Sequence, residues 1–249
     1  MANTKTLAEL IASVRQRADM VGSSFVGDSE ILDHINQGIA ELHDLLVGLF
    51  EDYYLASVEF TLPGGNPTTL PDGESNFALS GGGTPVYAEG FYKALGVDFL
   101  SGGLTRSVKP YMFAERNAYP TGHGEDLFYH IQGDTIRFIP SSPPSGTVTL
   151  WYVPEPQYFV AADLTASPSP RLSVKARHVA RGYEEFIILD AAVKCLLKEE
   201  SDVKILMAQR ELVRKRITEA AATRQSGDPY RIVDVNQGVR HTGYINWKV

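Results

Sequence analysis

The stretch DSEILDHINQGIAELHDLLVGLFE, residues 28–51, decides the helical part of the fold. Its apolar side chains recur at alternating steps of three and four residues, at Leu32, Ile35, Ile39, Leu42, Leu46 and Leu49. This spacing predicts a helix with one apolar stripe, as in a helical bundle or coiled-coil seam. Asp28 is predicted to cap it through its carboxylate. At about 1.5 Å per residue, residues 29–51 would span roughly 35 Å, so the helix needs a partner of similar length.

Three further segments carry helical patterns. Residues 6–21 repeat apolar positions at steps of three and four, and residues 22–27 are predicted to form the turn into the long helix. Residues 183–197 are apolar on several sides, which is typical of a deeply buried helix, and residues 203–223 form another apolar seam. We therefore predict four helices in two hairpins that pack as an antiparallel bundle.

The two helical ends differ in charge. Residues 1–56 carry nine acidic and three basic side chains, whereas residues 202–224 carry three acidic and six basic ones. Opposite charges favour contact between these elements, within one chain or between neighbouring copies. A basic cluster in the last helix comprises Arg210, Arg214, Lys215 and Arg216. It is interpreted as a solvated helix face, as a site of inter-chain or inter-helix pairing, or as a nucleic-acid contact.

The middle of the chain follows a different pattern. Thirteen of the 14 prolines lie between Pro63 and Pro170, and they disfavour helices there. Alternating apolar and polar residues predict a hairpin over residues 129–139, which turns at residues 132–134. Residues 147–153 and 58–62 are predicted as further strands, and residues 63–71 and 80–85 as loops.

These patterns predict an α+β fold. An antiparallel helical bundle built from N- and C-terminal helical hairpins carries an inserted β-rich domain and an extended C-terminal arm. The predicted boundaries are 1–56 for the first hairpin, 57–176 for the Pro/Gly-rich β domain, 177–225 for the second hairpin and 226–249 for the arm. The arm contains large apolar side chains without helical spacing, so we expect it to dock on a partner. Its expected anchors are Tyr230, Ile232, Tyr244, Ile245 and Trp247.

Composition excludes several classes of protein. The chain has 249 residues and a formal net charge of -7, and its one cysteine, Cys195, excludes an intramolecular disulfide and a multi-cysteine zinc site. No stretch approaches the roughly 18 unbroken apolar residues of a membrane span, and residues 1–5 do not open a secretory signal. We therefore expect a soluble protein without a membrane partner. The acidic balance also makes nucleic acid an unexpected ligand.

The sequence contains only weak signals for a ligand-binding, metal-binding or catalytic site. The run Gly81–Gly83 lacks the lysine that follows a phosphate-binding loop, and a surface loop explains it as well. His123, Glu125, Asp126 and His130 match no established metal-ligand spacing. We therefore predict no metal, no cofactor and no catalytic residue.

Two side chains of reactive types, those of Cys195 and Asp190, lie in the apolar helix. Cys195 is expected to be an inert small hydrophobe. Asp190, a carboxylate among apolar neighbours, must find a partner or bind a proton. We expect a hydrogen bond or ion pair to Arg210 or to another residue of the bundle, rather than a role as the acid of a hydrolase.

Several segments of the sequence together resemble those of a known protein family. Residues 6–11 and 28–38, followed by Glu41 and Leu42, resemble the first hairpin of head-to-tail adaptor proteins of tailed bacteriophages, above all the short-tailed ones. Residues 181–192 and 198–202 are similar to their second hairpin. Segments in the middle of the chain resemble other stretches of such phage proteins, at residues 91–98 and 114–117.

The resemblance implies a structural protein of the virion neck, made in the host cytoplasm. It implies a homo-oligomeric ring of about twelve copies under the portal protein. The ring would join the portal to tail nozzle or tail tube proteins and let genomic DNA pass without specific binding. No cofactor and no enzymatic activity are implied.

Two alternatives stay open. A tail nozzle or tube-closing ring component would share the same logic of assembly. A cell-wall hydrolase could have its catalytic carboxylates in a chain whose other patterns are structural. Glu125 and Asp126 are the residues to test for this activity.

Overall fold

The computed structural model confirms a mixed α+β protein. It describes residues 4–62, 68–69, 76–77, 86–87, 90–115, 127–133, 135–140, 143–175 and 182–222. The predicted arm at residues 226–249 lies outside this part, as do Gly81–Gly83 and the candidate ligands His123, Glu125 and Asp126. The predicted domain boundaries stay predictions.

Helices occupy both ends of the described chain. They are α1 (Leu7–Arg17), α2 (Asp28–Leu49), the short α3 (Leu172–Lys175), α4 (Glu184–Lys198) and α5 (Lys204–Ala222). The four long helices agree with the predicted ones to within a few residues. The predicted cap of α2 is wrong, since Gly27 is the N-cap residue and no side chain caps the helix. Asp28 instead accepts a hydrogen bond from Arg15, with 2.6 Å between Oδ1 and Nη2. None of these described helices combines the length and the hydropathy of a membrane span.

The strands lie between the helical ends. They are β1 (Ala56–Leu62), β2 (Thr68–Thr69), β3 (Asn76–Phe77), β4 (Val86–Tyr87), β5 (Phe91–Ser101), β6 (Leu104–Pro110), β7 (Phe128–Gln132), β8 (Thr135–Ile139) and β9 (Gly146–Pro154). Seven of them form one sheet in the order β1-β9-β5-β6-β7-β8-β2, and β3 pairs with β4. Only β6 and β7 are parallel among the described pairs, over two residues.

The sheet confirms the predicted strands and adds others. The hairpin β7–β8 pairs Tyr129 with Phe138 and Ile131 with Ile136, as its alternation predicts. The strands predicted at residues 58–62 and 147–153 lie within β1 and β9, which pair with each other. The hairpin β5–β6 is missing from the prediction, although β5 is the longest described strand. Its two-residue turn is Gly102–Gly103, where φ is +58° and +82°, which fits a type I′ turn.

Two apolar clusters form the interior of the described part. The first joins the four long helices and reaches the end of the sheet through Val153 and Phe159. Helix α2 contacts α1, α4 and α5, and α4 contacts α1 and α5. The second cluster belongs to the sheet, with fully buried side chains such as Leu62, Ile136 and Leu150.

A glycine allows close packing inside the sheet. A Cβ atom added to Gly146 would lie 2.5 Å from the carbonyl oxygen of Leu100 and 2.6 Å from the ring of Phe99. The backbone oxygen cannot move without disturbing β5. We expect Gly146→Ala to lower the free energy of unfolding by about 1–3 kcal/mol, measured by urea denaturation.

A second glycine of the sheet provides the matched control. Gly96 lies in β5, and an added Cβ atom there would meet nothing within 4 Å. Gly96→Ala is therefore expected to cost much less than Gly146→Ala. Equal losses in the two variants would contradict the steric explanation.

Candidate functional site

The four basic residues of the predicted cluster separate into two groups on α5. Arg210 turns toward the other helices and forms an ion pair with Asp190. Arg216 donates a hydrogen bond to the carbonyl oxygen of Gly182, at 3.0 Å. Arg214 and Lys215 are exposed, and Arg214 pairs with Glu211 of the same helix, with 3.6 Å between Nη1 and Oε2. Consecutive residues of a helix point in directions about 100° apart, so closeness in sequence does not place them on one surface.

The ion pair of Asp190 confirms a prediction made from the sequence. Its Oδ1 lies 2.9 Å from Nη2 of Arg210, and its Oδ2 lies 2.7 Å from Nζ of Lys194. Glu41 completes the cluster, because its carboxylate contacts Arg210 and lies 3.2 Å from Lys194. Asp190 is only 2% exposed. A carboxylate buried so deeply is stable when it is paired, and this cluster connects α2, α4 and α5.

Gly38 explains how α2 and α4 approach each other beside this cluster. A Cβ atom there would lie 3.2 Å from Cγ2 of Ile187 and 3.4 Å from Oδ2 of Asp190. The missing side chain allows the two helices to pack closely. The ion cluster and the close packing together fix the register of these helices.

A second polar contact region joins the helices to the sheet. The side chain of Asn36 makes two hydrogen bonds with the backbone of Phe159, both of 2.9 Å. One heptad further along α2, Nε2 of His43 lies 3.0 Å from the carbonyl oxygen of Pro154. Because a carbonyl oxygen can only accept, Nε2 of His43 carries the proton. The chain that leaves β9 is thus held against α2 at two points.

His43 is enclosed by aromatic rings from both parts. Its ring centroid lies 4.7 Å from that of Tyr54 and 5.1 Å from that of Tyr92. Burial lowers the pKa of His43 below its usual value, against the opposing effects of the Pro154 carbonyl and the Asp44 carboxylate. The neutral imidazole is therefore the form that this contact region favours.

Acid is expected to weaken this contact region. In the unfolded chain His43 takes up a proton near pH 6.5, whereas the folded protein binds that proton only at lower pH. The free energy of unfolding should therefore decrease as the pH falls below about 6.5. His43→Gln can still donate to Pro154 but does not titrate, so its stability should depend less steeply on pH between 5 and 7. Identical pH profiles of the two proteins, measured by urea denaturation, would contradict this role.

The exposed side of α5 carries a groove of about 680 Å³. Among the described residues, its lining comprises Ala208, Glu211, Leu212, Arg214, Lys215 and Thr218. Two members of the predicted basic cluster, Arg214 and Lys215, therefore line this groove. The sequence contained one signal for it, since Ile205, Ala208 and Leu212 follow each other at steps of three and four residues.

The other described residues that were considered for catalysis or metal binding do not lie together in one site. Cys195 is buried in the helical cluster, and burial raises its pKa to about 11, so its thiol is unreactive near neutral pH. His130 packs against the rings of Tyr111 and Phe113. No three His, Cys, Asp or Glu side chains are placed to share a metal ion within the part of the chain that the structure describes.

Comparison with known proteins identifies one family. The sequence model of the SU10 adaptor protein family matches residues 5–233, which is most of the chain. The match includes all four long helices and the whole sheet. No curated protein matches the sequence.

Proposed function

Because the chain belongs to the SU10 adaptor protein family and is thus a structural adaptor of the phage virion, we propose that it joins the portal to the tail. About twelve copies would form a closed ring under the portal protein. The ring would sit in the virion neck, contact tail nozzle or tail tube proteins on its other side, and continue the DNA channel. A short-tailed phage is the proposed source. The family match over residues 5–233 is the observation that carries this proposal.

We assign the helical ends to the body of the ring. The two hairpins would act as one bundle, since the four long helices share one apolar cluster and the ion cluster around Asp190. The polar contacts of Asn36 and His43 hold the inserted sheet against this bundle. A protein that connects two large assemblies benefits from such a fixed orientation of its two parts.

The charge of the chain suits a DNA channel. A formal net charge of -7 per copy provides no general attraction for phosphate groups. Arg210 and Arg216, two of the four cations of the basic cluster, make contacts within the chain. DNA would therefore pass without specific binding.

Mass measurement of the complex with portal tests the ring. Purified portal mixed with the full chain should gain about a dozen copies, seen by native mass spectrometry and by negative-stain microscopy. One or two copies per portal ring would contradict the proposal. A protein that binds a preformed adaptor ring but not the portal would instead be a nozzle component.

Arg214 and Lys215 are proposed to contribute to contacts between subunits or with the portal. Both are exposed, so the double variant Arg214→Ala/Lys215→Ala should melt like the wild type. Assembly on the portal should require a higher protein concentration, because opposite charges between copies are lost. The matched control is Lys204→Ala, an exposed cation at the start of α5 and outside the groove. Assembly of the double variant at wild-type concentration would remove these residues from the interface.

A further inference from the structure

Helix α5 has two apolar sides, and only one of them is used inside the described part of the chain. The inner side packs into the helical cluster through Leu206, Val213, Ile217 and Ala221. On the other side, Ile205 is 75% exposed and Leu212 is 70% exposed. Single exposed apolar residues are common, but these two and Ala208 follow one face at helical spacing. This second face of α5 therefore has the composition of a surface that packs against another element.

The groove on this second face ends close to the point where α5 ends. Its lining runs from Ala208 to Thr218, and α5 ends at Ala222, one turn later. Residues 223–249 continue from that point. This segment contains large apolar side chains, among them Tyr230, Ile232 and Trp247.

We propose that the groove is the docking site of the chain's own C-terminal segment, residues 223–249, in the free protein. A tether that begins one turn from the groove gives the segment an effective concentration in the millimolar range, so even weak apolar contacts keep it bound. A second copy or another protein has no such advantage before assembly.

The lengths of the two elements allow this contact. The groove lining extends over eleven residues of α5, from Ala208 to Thr218, which is roughly 15 Å of helix. Residues 223–229 contain Gly227 and Pro229, which would allow the chain to turn back along α5. The next six residues, 230–235, would extend over roughly 20 Å and so cover the groove.

The chemistry of the two surfaces also agrees. Ala208 and Leu212 offer apolar area to the aromatic and aliphatic side chains of the segment. Both surfaces carry charges of both signs, with Glu211, Arg214 and Lys215 in the groove and both acidic and basic residues in the segment. Docking would remove two sets of apolar side chains from water at once. It would also keep the segment bound to α5 until a partner displaces it.

Limited proteolysis of the full chain tests this inference. Trypsin can cut the segment after Arg231 and Arg240, and mass spectrometry follows both cuts over time. Leu212→Asp places a charge in the groove and should release the segment, so that the cut after Arg231 becomes at least five times faster, whereas the cut after Arg240, beyond the stretch that covers the groove, should change less. Leu104→Asp is the matched control, because Leu104 is 62% exposed but lies in β6, far along the chain from α5. Circular dichroism melting checks that both variants are folded.

The possible results of this experiment distinguish docking within one chain from no docking and from docking by a second copy. Faster cutting in Leu212→Asp alone, at a rate independent of protein concentration, supports docking within one chain. Equal rates in the wild type and in both variants overturn the inference. Protection that disappears on dilution also overturns it, because the occupant would then come from a second copy. Binding to the portal is not measured, so the proposed function does not affect the result.

Discussion

Truncation after Asp228 is expected to leave a folded protein that no longer attaches to the portal. The removed residues include the proposed anchors Tyr244, Ile245 and Trp247. The ion cluster and both apolar clusters of the described part are formed by residues before position 223, which the truncated protein keeps, so the melting temperature should change little. Loss of one buried aromatic anchor costs about 2 kcal/mol or more, and that corresponds to roughly a 30-fold weaker Kd. Loss of all three should abolish binding at micromolar concentration.

Single substitutions in the arm sharpen this test. Trp247→Ala should weaken binding to purified portal by at least 10-fold, whereas Asn246→Ala, at the neighbouring polar position, should leave it nearly unchanged. Co-sedimentation with portal rings measures both variants. If the truncated protein occupies portal-filled heads at the wild-type level, the arm is not the portal contact. The helical surface would then be the next candidate.

Asp190→Ala is expected to have the largest effect on folding. The substitution leaves Arg210 and Lys194 without the buried carboxylate that pairs with both of them. Removal of one partner of a buried ion pair costs about 3–5 kcal/mol, and we expect a loss at the lower end of this range because Arg210 and Lys194 keep Glu41 as a partner. For a chain of this length the melting temperature should fall by roughly 10 °C.

Glu41→Ala is the matched control for this prediction. Glu41 contacts the same two cations, but 43% of its side chain is exposed to water. Solvent screens such a pair, and we expect a loss of about 1 kcal/mol or less. Thermal melting at pH 7 compares the two variants. Equal losses would show that burial of Asp190 does not determine the stability of the cluster.

The long helices could be predicted because their periodicity is local. Helices α1, α2 and α5 repeat apolar residues at steps of three and four that a helix places on one side, whereas α4 is apolar on several sides, as is typical of a deeply buried helix. The hairpin β7–β8 was predicted for the same reason, since its alternation and its turn lie within eleven residues. Asp190 was expected to pair with Arg210 because a carboxylate in an apolar helix needs a cation, and Arg210 lies on a neighbouring seam.

The hairpin β5–β6 shows where local patterns are insufficient. Strand β5 lies between β6, its hairpin partner, and β9, which is distant in sequence, so its pattern depends in part on a neighbour that local patterns do not reveal. Its alternation is also interrupted by register shifts near Lys93 and Ala94. The turn Gly102–Gly103 was the available signal. It lies in a region so rich in glycine that one pair of residues did not stand out.

Local patterns in the sequence were sufficient to predict the long helices, the region of helix breakers and the family resemblance. The division of the basic cluster depends on tertiary contacts, which place Arg210 inside an ion cluster and leave Arg214 and Lys215 on an exposed groove. Tertiary contacts also decide that Asn36 and His43 hold the sheet against α2. These differences follow from the range of the interactions. Periodicity depends on residues three or four positions apart, whereas the partners of Asn36, Glu41 and His43 lie more than 100 residues away along the chain.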